Sequence, residues 1–142
     1  MRRDNPSDSH RYFDWLFQAN LDFLTAKKLY DDERLYPITA FHCQQCIEKA
    51  LKGYLLFKRN KLYDGHNLTW LCKQASQNEQ AFKKWISPSA KLNRYYIETR
   101  YPADIPVDIN TETINELFEI ATDMLEVITR EIRFDIAKYR KH

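Results

Sequence analysis

The chain has only two glycines in 142 residues. Two isolated glycines cannot build a phosphate-cradling loop. Long apolar runs are also missing. No stretch approaches the ~20 residues that a membrane-spanning helix needs. Met1 to Asn20 holds no apolar run of the kind found in a secretory leader. Three cysteines are an odd number and no leader precedes them, which predicts a reducing, cytoplasmic setting rather than a disulfide framework. Charge of one sign is scarce as well. A net charge of +2 and a pI near 8.4 are too mild to argue nucleic-acid binding by themselves. No H-E-x-x-H, G-x-S-x-G or D-x-D pattern occurs, and no carboxylates are spaced as a familiar catalytic pair.

What is present is 44% apolar and 30% charged, without strand-like alternation. That combination predicts an all-α fold, in a single domain over residues 8–140 behind a flexible tail at 1–7. Aromatic residues reach 14%, with nine tyrosines, enough for a dense helical core or a stacking surface.

The stretch from Tyr36 to Asn60 organises the rest. Pro37 suits a first helical turn. On a helical wheel Ala40, Cys43, Ile47, Ala50, Tyr54 and Phe57 share one face, widened by Leu51, Leu55 and Cys46. His42, Gln45, Lys49 and Lys52 lie opposite, flanked by Glu48. Ile38 and Phe41 also fall on that polar side. They predict a second face half-covered by a partner chain or around a ligand, against the plainer reading of a solvated face with two stray apolar residues.

The other elements follow from local signals. Asp8 or Ser9 is expected to cap a first helix reaching about Tyr30, with a stripe of Tyr12, Leu16, Ala19, Phe23, Ala26 and Tyr30. Phe13, Trp15 and Phe17 widen it toward a second neighbour. Gly65 marks a turn, and Asn67 caps a short helix carrying Leu68, Leu71, Cys72 and Ala75. Residues 78–98 read as short helices interrupted at Ser87-Pro88. Pro102 and Pro106 bound an extended loop. A last helix begins near Asn110 to Thr113, where Thr113 and Glu116 fit a capping box. Its stripe runs Ile114, Leu117, Phe118, Ala121, Leu125, Ile128, Ile132, Ile136 and Tyr139.

Cys43-Gln44-Gln45-Cys46 is formally a C-x-x-C, but it lies about two turns inside a helix rather than at the N-terminus that would activate it. No second ligand pair stands at zinc-finger spacing. His66 can hold a turn or meet a phosphate beside Lys58, Arg59 and Lys61. Lys91, Arg94, Tyr95, Tyr96, Arg100 and Tyr101 interleave cations with rings, as phosphate contact plus base stacking would require.

Several blocks resemble one family. Ala19-Asn20-Leu21-Asp22 with Ala26, then Phe41-His42-Cys43-Gln44-Gln45-Cys46-Ile47-Glu48-Lys49-Ala50-Leu51-Lys52, then His66-Asn67-Leu68 with Leu71, then Tyr95 and Arg100-Tyr101-Pro102 are similar in order and spacing to the HEPN domain (higher eukaryotes and prokaryotes nucleotide-binding). The resemblance spans roughly residues 12–130. It implies a bundle of about five helices, long ones running up and down with shorter ones between, that forms a homodimer. It also implies a minimal nucleotidyltransferase partner in a toxin–antitoxin module. Many members are metal-independent ribonucleases with Arg, four to six residues, then His in a late position. After Arg100 the next histidine is His142, so that late pair is absent. Arg59 and His66 match the spacing in the wrong place, and so do Arg3 and His10.

The expected function is therefore a non-catalytic HEPN protein that binds nucleotide or RNA phosphate without a cofactor or metal. Lys49 and Lys52 would offer charge to phosphate, Arg100 a bidentate contact and Tyr101 a stacking face. Gln45 and Glu48 would read polar edges or pair with the lysines, and His66 would join them. Ile38 and Phe41 would lie at the dimer interface. A ribonuclease with another residue set, and a purely structural dimer, are the alternatives.

Overall fold

The structure is a computed structural model, and it describes residues 8–96 and 108–140. Five α-helices follow one another: α1 Tyr12–Leu29, α2 Tyr36–Arg59, α3 Leu68–Asn78, α4 Ile86–Asn93 and α5 Thr111–Arg140. Two 3-10 turns, Glu33–Leu35 and Gln80–Trp85, join α1 to α2 and α3 to α4. No strand occurs among the described residues. The all-α expectation holds.

Helix α2 is the axis of the bundle. Fifteen of its 24 residues are buried, including the whole predicted apolar stripe up to Tyr54. Helix α1 lies along part of its polar side. Gly53 makes that approach possible. A Cβ there would stand 3.1 Å from the Trp15 Cβ and 3.2 Å from the Tyr12 carbonyl oxygen. Helix α5 closes the other side with Ile114, Leu117, Ile120, Ala121, Met124, Val127, Ile128 and Ile132, all buried. Phe118 of α5 stacks on Phe23 of α1 at 5.4 Å, which locks the two outer helices together. The side chain of Tyr139, placed in the α5 stripe, lies outside the described residues.

Local chemistry sets the helix ends. Asn60 adopts a left-handed conformation, φ 53°, and its N–H donates to the Leu56 carbonyl to stop α2. Gly65, at φ 94°, then turns the chain back. Asn67 caps α3 by accepting from the Trp70 N–H at 3.1 Å. Three expectations fail here. Neither Asp8 nor Ser9 is the α1 cap residue; Arg11 holds that place without a side-chain cap bond. The Ser9 hydroxyl instead donates to Asp14 at 2.7 Å, while its oxygen accepts from the Arg11 N–H at 3.0 Å. Pro88 does not interrupt a helix, since it sits in the first turn of α4, where a missing N–H leaves no bond unmade. The α5 cap is Asn110, whose side chain accepts from the Thr113 N–H at 2.8 Å, rather than Thr113. Phe13 and Phe17, expected to reach a second neighbour, are exposed.

Gly53→Ala sets two effects against each other. Alanine gains about 1 kcal/mol of helix propensity. Overpacking against the α1 backbone costs about 1–3 kcal/mol. The approach to a carbonyl and a Cβ leaves no flexible side-chain end to move aside, so the second should win. The expected result is a lower melting temperature than wild type in a calorimetric scan. A higher one would contradict the close packing of α1 on α2.

Candidate functional site

A buried carboxylate, Glu48, sits on the polar side of α2 at 4% exposure. One turn on, the Lys52 ammonium donates to it at 3.2 Å. The loop after α2 returns His66, whose Nδ1 lies 2.9 and 3.0 Å from its two oxygens. Gln44 donates to the same carboxylate at 3.2 Å and to the His66 carbonyl at 3.4 Å. Gln45 donates to the Gln44 side-chain oxygen at 2.8 Å, orienting that amide. Tyr96 stacks on the His66 ring, centroids 3.9 Å apart and planes within 14°. Paired ions and amide donors answer the demand of a buried charge.

A second carboxylate repeats the arrangement toward α1. Asp22 accepts from Lys49 at 2.7 Å and meets His42 Nδ1 at 2.8 Å. Each acid thus gathers one lysine and one histidine. Both lysines and His42 come from one side of α2, because positions three, four and seven apart share a helix face. His66 comes from the loop.

Beside the Glu48 network opens a cleft of about 150 Å³, whose lining includes Asp8, Trp15, Gln45, Glu48, Lys49, Lys52, Tyr63, Asp64 and His66. The Lys52 ammonium lies 5.9 Å from the Trp15 ring centre, so the cation has an aromatic wall. The structure therefore brings together five residues singled out in the sequence: Gln45, Glu48, Lys49, Lys52 and His66. Arg100 and Tyr101 lie outside the described residues. Ile38 and Phe41 are half-buried. Asp22, Trp15, Tyr63 and Asp64 were not among the expected site residues, although Asp22 stood in the first-helix block that carried the resemblance. Asp22 carried a signal all the same, as a carboxylate in register with Ala19 and Ala26 on the buried stripe of α1.

The Arg59–His66 spacing does not form a working pair. Arg59 is held elsewhere, donating to Tyr63 at 2.8 Å, to the Gln74 side chain at 2.9 Å and carbonyl at 2.8 Å, to Gln77 at 2.9 Å and to Asn78 at 2.7 Å. It closes the end of α3, while His66 is committed to Glu48. Among the described residues, no group of three or more His, Cys, Asp or Glu could hold a metal ion. No described helix is long and apolar enough to cross a membrane.

The chain's likeness to known proteins agrees with this geometry. A family model described as the HEPN domain matches residues 12–132. The chain belongs to the HEPN family. Among solved structures with this fold, TT1696 from Thermus thermophilus is 26% identical, with a TM-score of 0.74, covering 86% of this chain and 98% of that one. ST0689, described as an archaeal HEPN homologue, is 24% identical with a TM-score of 0.68 over the same shares, and so speaks to the fold alone. No curated protein matches the sequence. The long α1, α2 and α5 and the short α3 and α4 of this HEPN chain fit the bundle that the resemblance implied.

The cysteines of this HEPN domain are core residues. Cys43, Cys46 and Cys72 are free and buried. Burial pushes the Cys43 and Cys72 thiols up to about 12, and that of Cys46 well above its ordinary value. A thiol raised this far is scarcely ionised at pH 8, and the thiolate is the nucleophile. Native protein at pH 8 should therefore resist iodoacetamide at all three positions, and unfolding in urea should release all three. Rapid native labelling of Cys43 or Cys46, read by mass spectrometry, would restore a reactive C-x-x-C.

Proposed function

We propose that this HEPN protein binds the phosphate of a nucleotide or RNA weakly at the α2 cleft, as a homodimer, alongside a minimal nucleotidyltransferase in a toxin–antitoxin module. One observation carries the binding reading. Lys49, Lys52, Gln45, Glu48 and His66 come from two segments of the chain and line a single opening. Lysine ammonium groups supply the charge for phosphate, Gln45 supplies an amide for a base or sugar edge, and Trp15 and Tyr63 supply rings for a base. The volume limits the ligand. Sites that enclose a whole drug-sized molecule hold roughly 300–1,000 Å³. A cleft of about 150 Å³ takes a phosphate or one edge of a nucleotide and leaves the rest outside.

A second reading rests on an equally specific observation. Both lysines are already paired inside the chain, Lys49 with Asp22 and Lys52 with Glu48. The cleft holds two ammonium groups against three carboxylates, those of Asp8, Glu48 and Asp64. On that reading the polar face only fastens α1 and the loop to α2, and the protein is a structural dimer.

Titration of labelled ATP, GTP and a short RNA at low and high salt separates the two. Lys49→Gln is the informative variant, since the Lys49 side chain is partly exposed and the exchange leaves a polar side chain at the surface. Loss of a charge-assisted contact costs about 1.5–3 kcal/mol, roughly ten- to hundredfold in affinity. Binding that falls by that factor and weakens with salt is the expected result. Binding untouched by Lys49→Gln, or none at low salt, contradicts the first reading.

A further inference from the structure

Four large apolar side chains of α1 stand in solvent: Phe13 at 52%, Phe17 at 62%, Leu21 at 41% and Leu24 at 49% exposure. Their spacings of four, four and three residues place them on one stripe, roughly 80° wide at 100° per residue. The opposite face of the helix, with Ala19, Asp22 and Ala26, is buried. One exposed apolar residue needs no explanation, but four in line do. No described segment of the chain covers them.

We propose that this stripe is the contact between two copies of the chain, with their α1 helices packed antiparallel about a two-fold axis near position 19. The proposal rests on the homodimer reading above and moves its centre from Ile38 and Phe41 to α1. The stripe is complementary to itself. Reversed about that axis, Phe17 meets the second copy's Leu21, and Phe13 falls beside the second copy's Leu24. Each ring lands on a branched aliphatic chain, and symmetry makes every contact twice. The charges match in the same sense. Asp14 lies in the first turn and Lys27 and Lys28 in the last. Antiparallel packing brings Asp14 within about one turn of the second copy's Lys28, where parallel packing would set lysine beside lysine. Opposed helix dipoles favour the same direction. A match between the two ends of one stripe is what a second copy uses and a foreign partner has no need of.

The size of the stripe sets the strength. It offers roughly 300–400 Å² of apolar surface, the scale at which a patch on a monomer is commonly functional. That is less than the ~800 Å² per partner of a standard interface, so the polar rim of Asp14, Asn20 and Lys28 must join it. A dimer in the micromolar range follows.

Sedimentation velocity of the full chain across the micromolar range tests this. Wild type should shift from monomer to dimer as concentration rises. Phe17→Glu should weaken that step at least tenfold, while helical circular dichroism and melting temperature stay at wild-type values, because the residue is exposed. Phe41→Glu should still dimerise. Phe17→Cys and Leu21→Cys chains, mixed under mild oxidation, should give the mixed disulfide in preference to either self-linked product. A dimer that survives Phe17→Glu overturns the placement on α1, and one that dissociates only with Phe41→Glu puts the interface on α2. Either outcome leaves the homodimer reading standing. A monomer at every concentration overturns both.

Discussion

The structure depends on keeping the Glu48 carboxylate charged inside the protein. An ionised acid at 4% exposure is tolerable only when paired and hydrogen-bonded. The chain meets that demand from three directions. Lys52 comes from the next turn of the same helix, His66 from the returning loop, and Gln44 from the preceding turn. Each donor fixes a piece of backbone. His66 sets where the loop crosses α2, Asn67 beside it begins α3, and Tyr96 after α4 stacks on His66. The placement of three elements thus follows from a single buried charge.

Asp22 applies the same logic to α1. Its carboxylate holds His42 and Lys49, while Gly53 lets the α1 backbone approach closely further along the helix. Polar pairing at one place and close packing at another fix both the register and the distance between α1 and α2. The cleft is lined by Glu48, Lys52 and His66 and by Lys49, which Asp22 holds, so its walls are held by interactions that also hold the fold. That coupling limits how far either lysine can turn toward a ligand, and it is why any phosphate contact there must be weak.

The parts legible in sequence were those settled by neighbours along the chain. The apolar stripe of α2, the Asn67 cap and the turn at Gly65 all depend on residues within a few positions. Two misreadings concerned competition between local options. Asn110 outranked Thr113 as the α5 cap, and Pro88 found the one turn that tolerates it. The deeper gaps were tertiary. Asp22 matters because α1 sets it against His42 and Lys49, which lie 20 and 27 positions further along the chain. Arg59 looked like a partner for His66 by spacing, but the end of α3 claims it with four hydrogen bonds and Tyr63 with a fifth. Phe13 and Phe17 read as reaching a second neighbour, but within the chain they stand exposed, because composition cannot tell a covered aromatic face from an open one. The Gln45, Glu48, Lys49 and Lys52 grouping could be read because a single helix face carries all four.

The most direct measurement is a double-mutant cycle on Glu48 and Lys52, read as unfolding free energy in urea. Glu48→Gln alone takes the counter-charge from the buried Lys52 ammonium, and Lys52→Met alone leaves the buried carboxylate to His66 and Gln44. Removing one partner of a buried ion pair typically costs about 3–5 kcal/mol. Each single change should cost this much, and the double variant should recover a large part of it, giving a coupling of at least about 1 kcal/mol. Strictly additive losses, or single variants as stable as wild type, would mean that Glu48 does not organise the bundle.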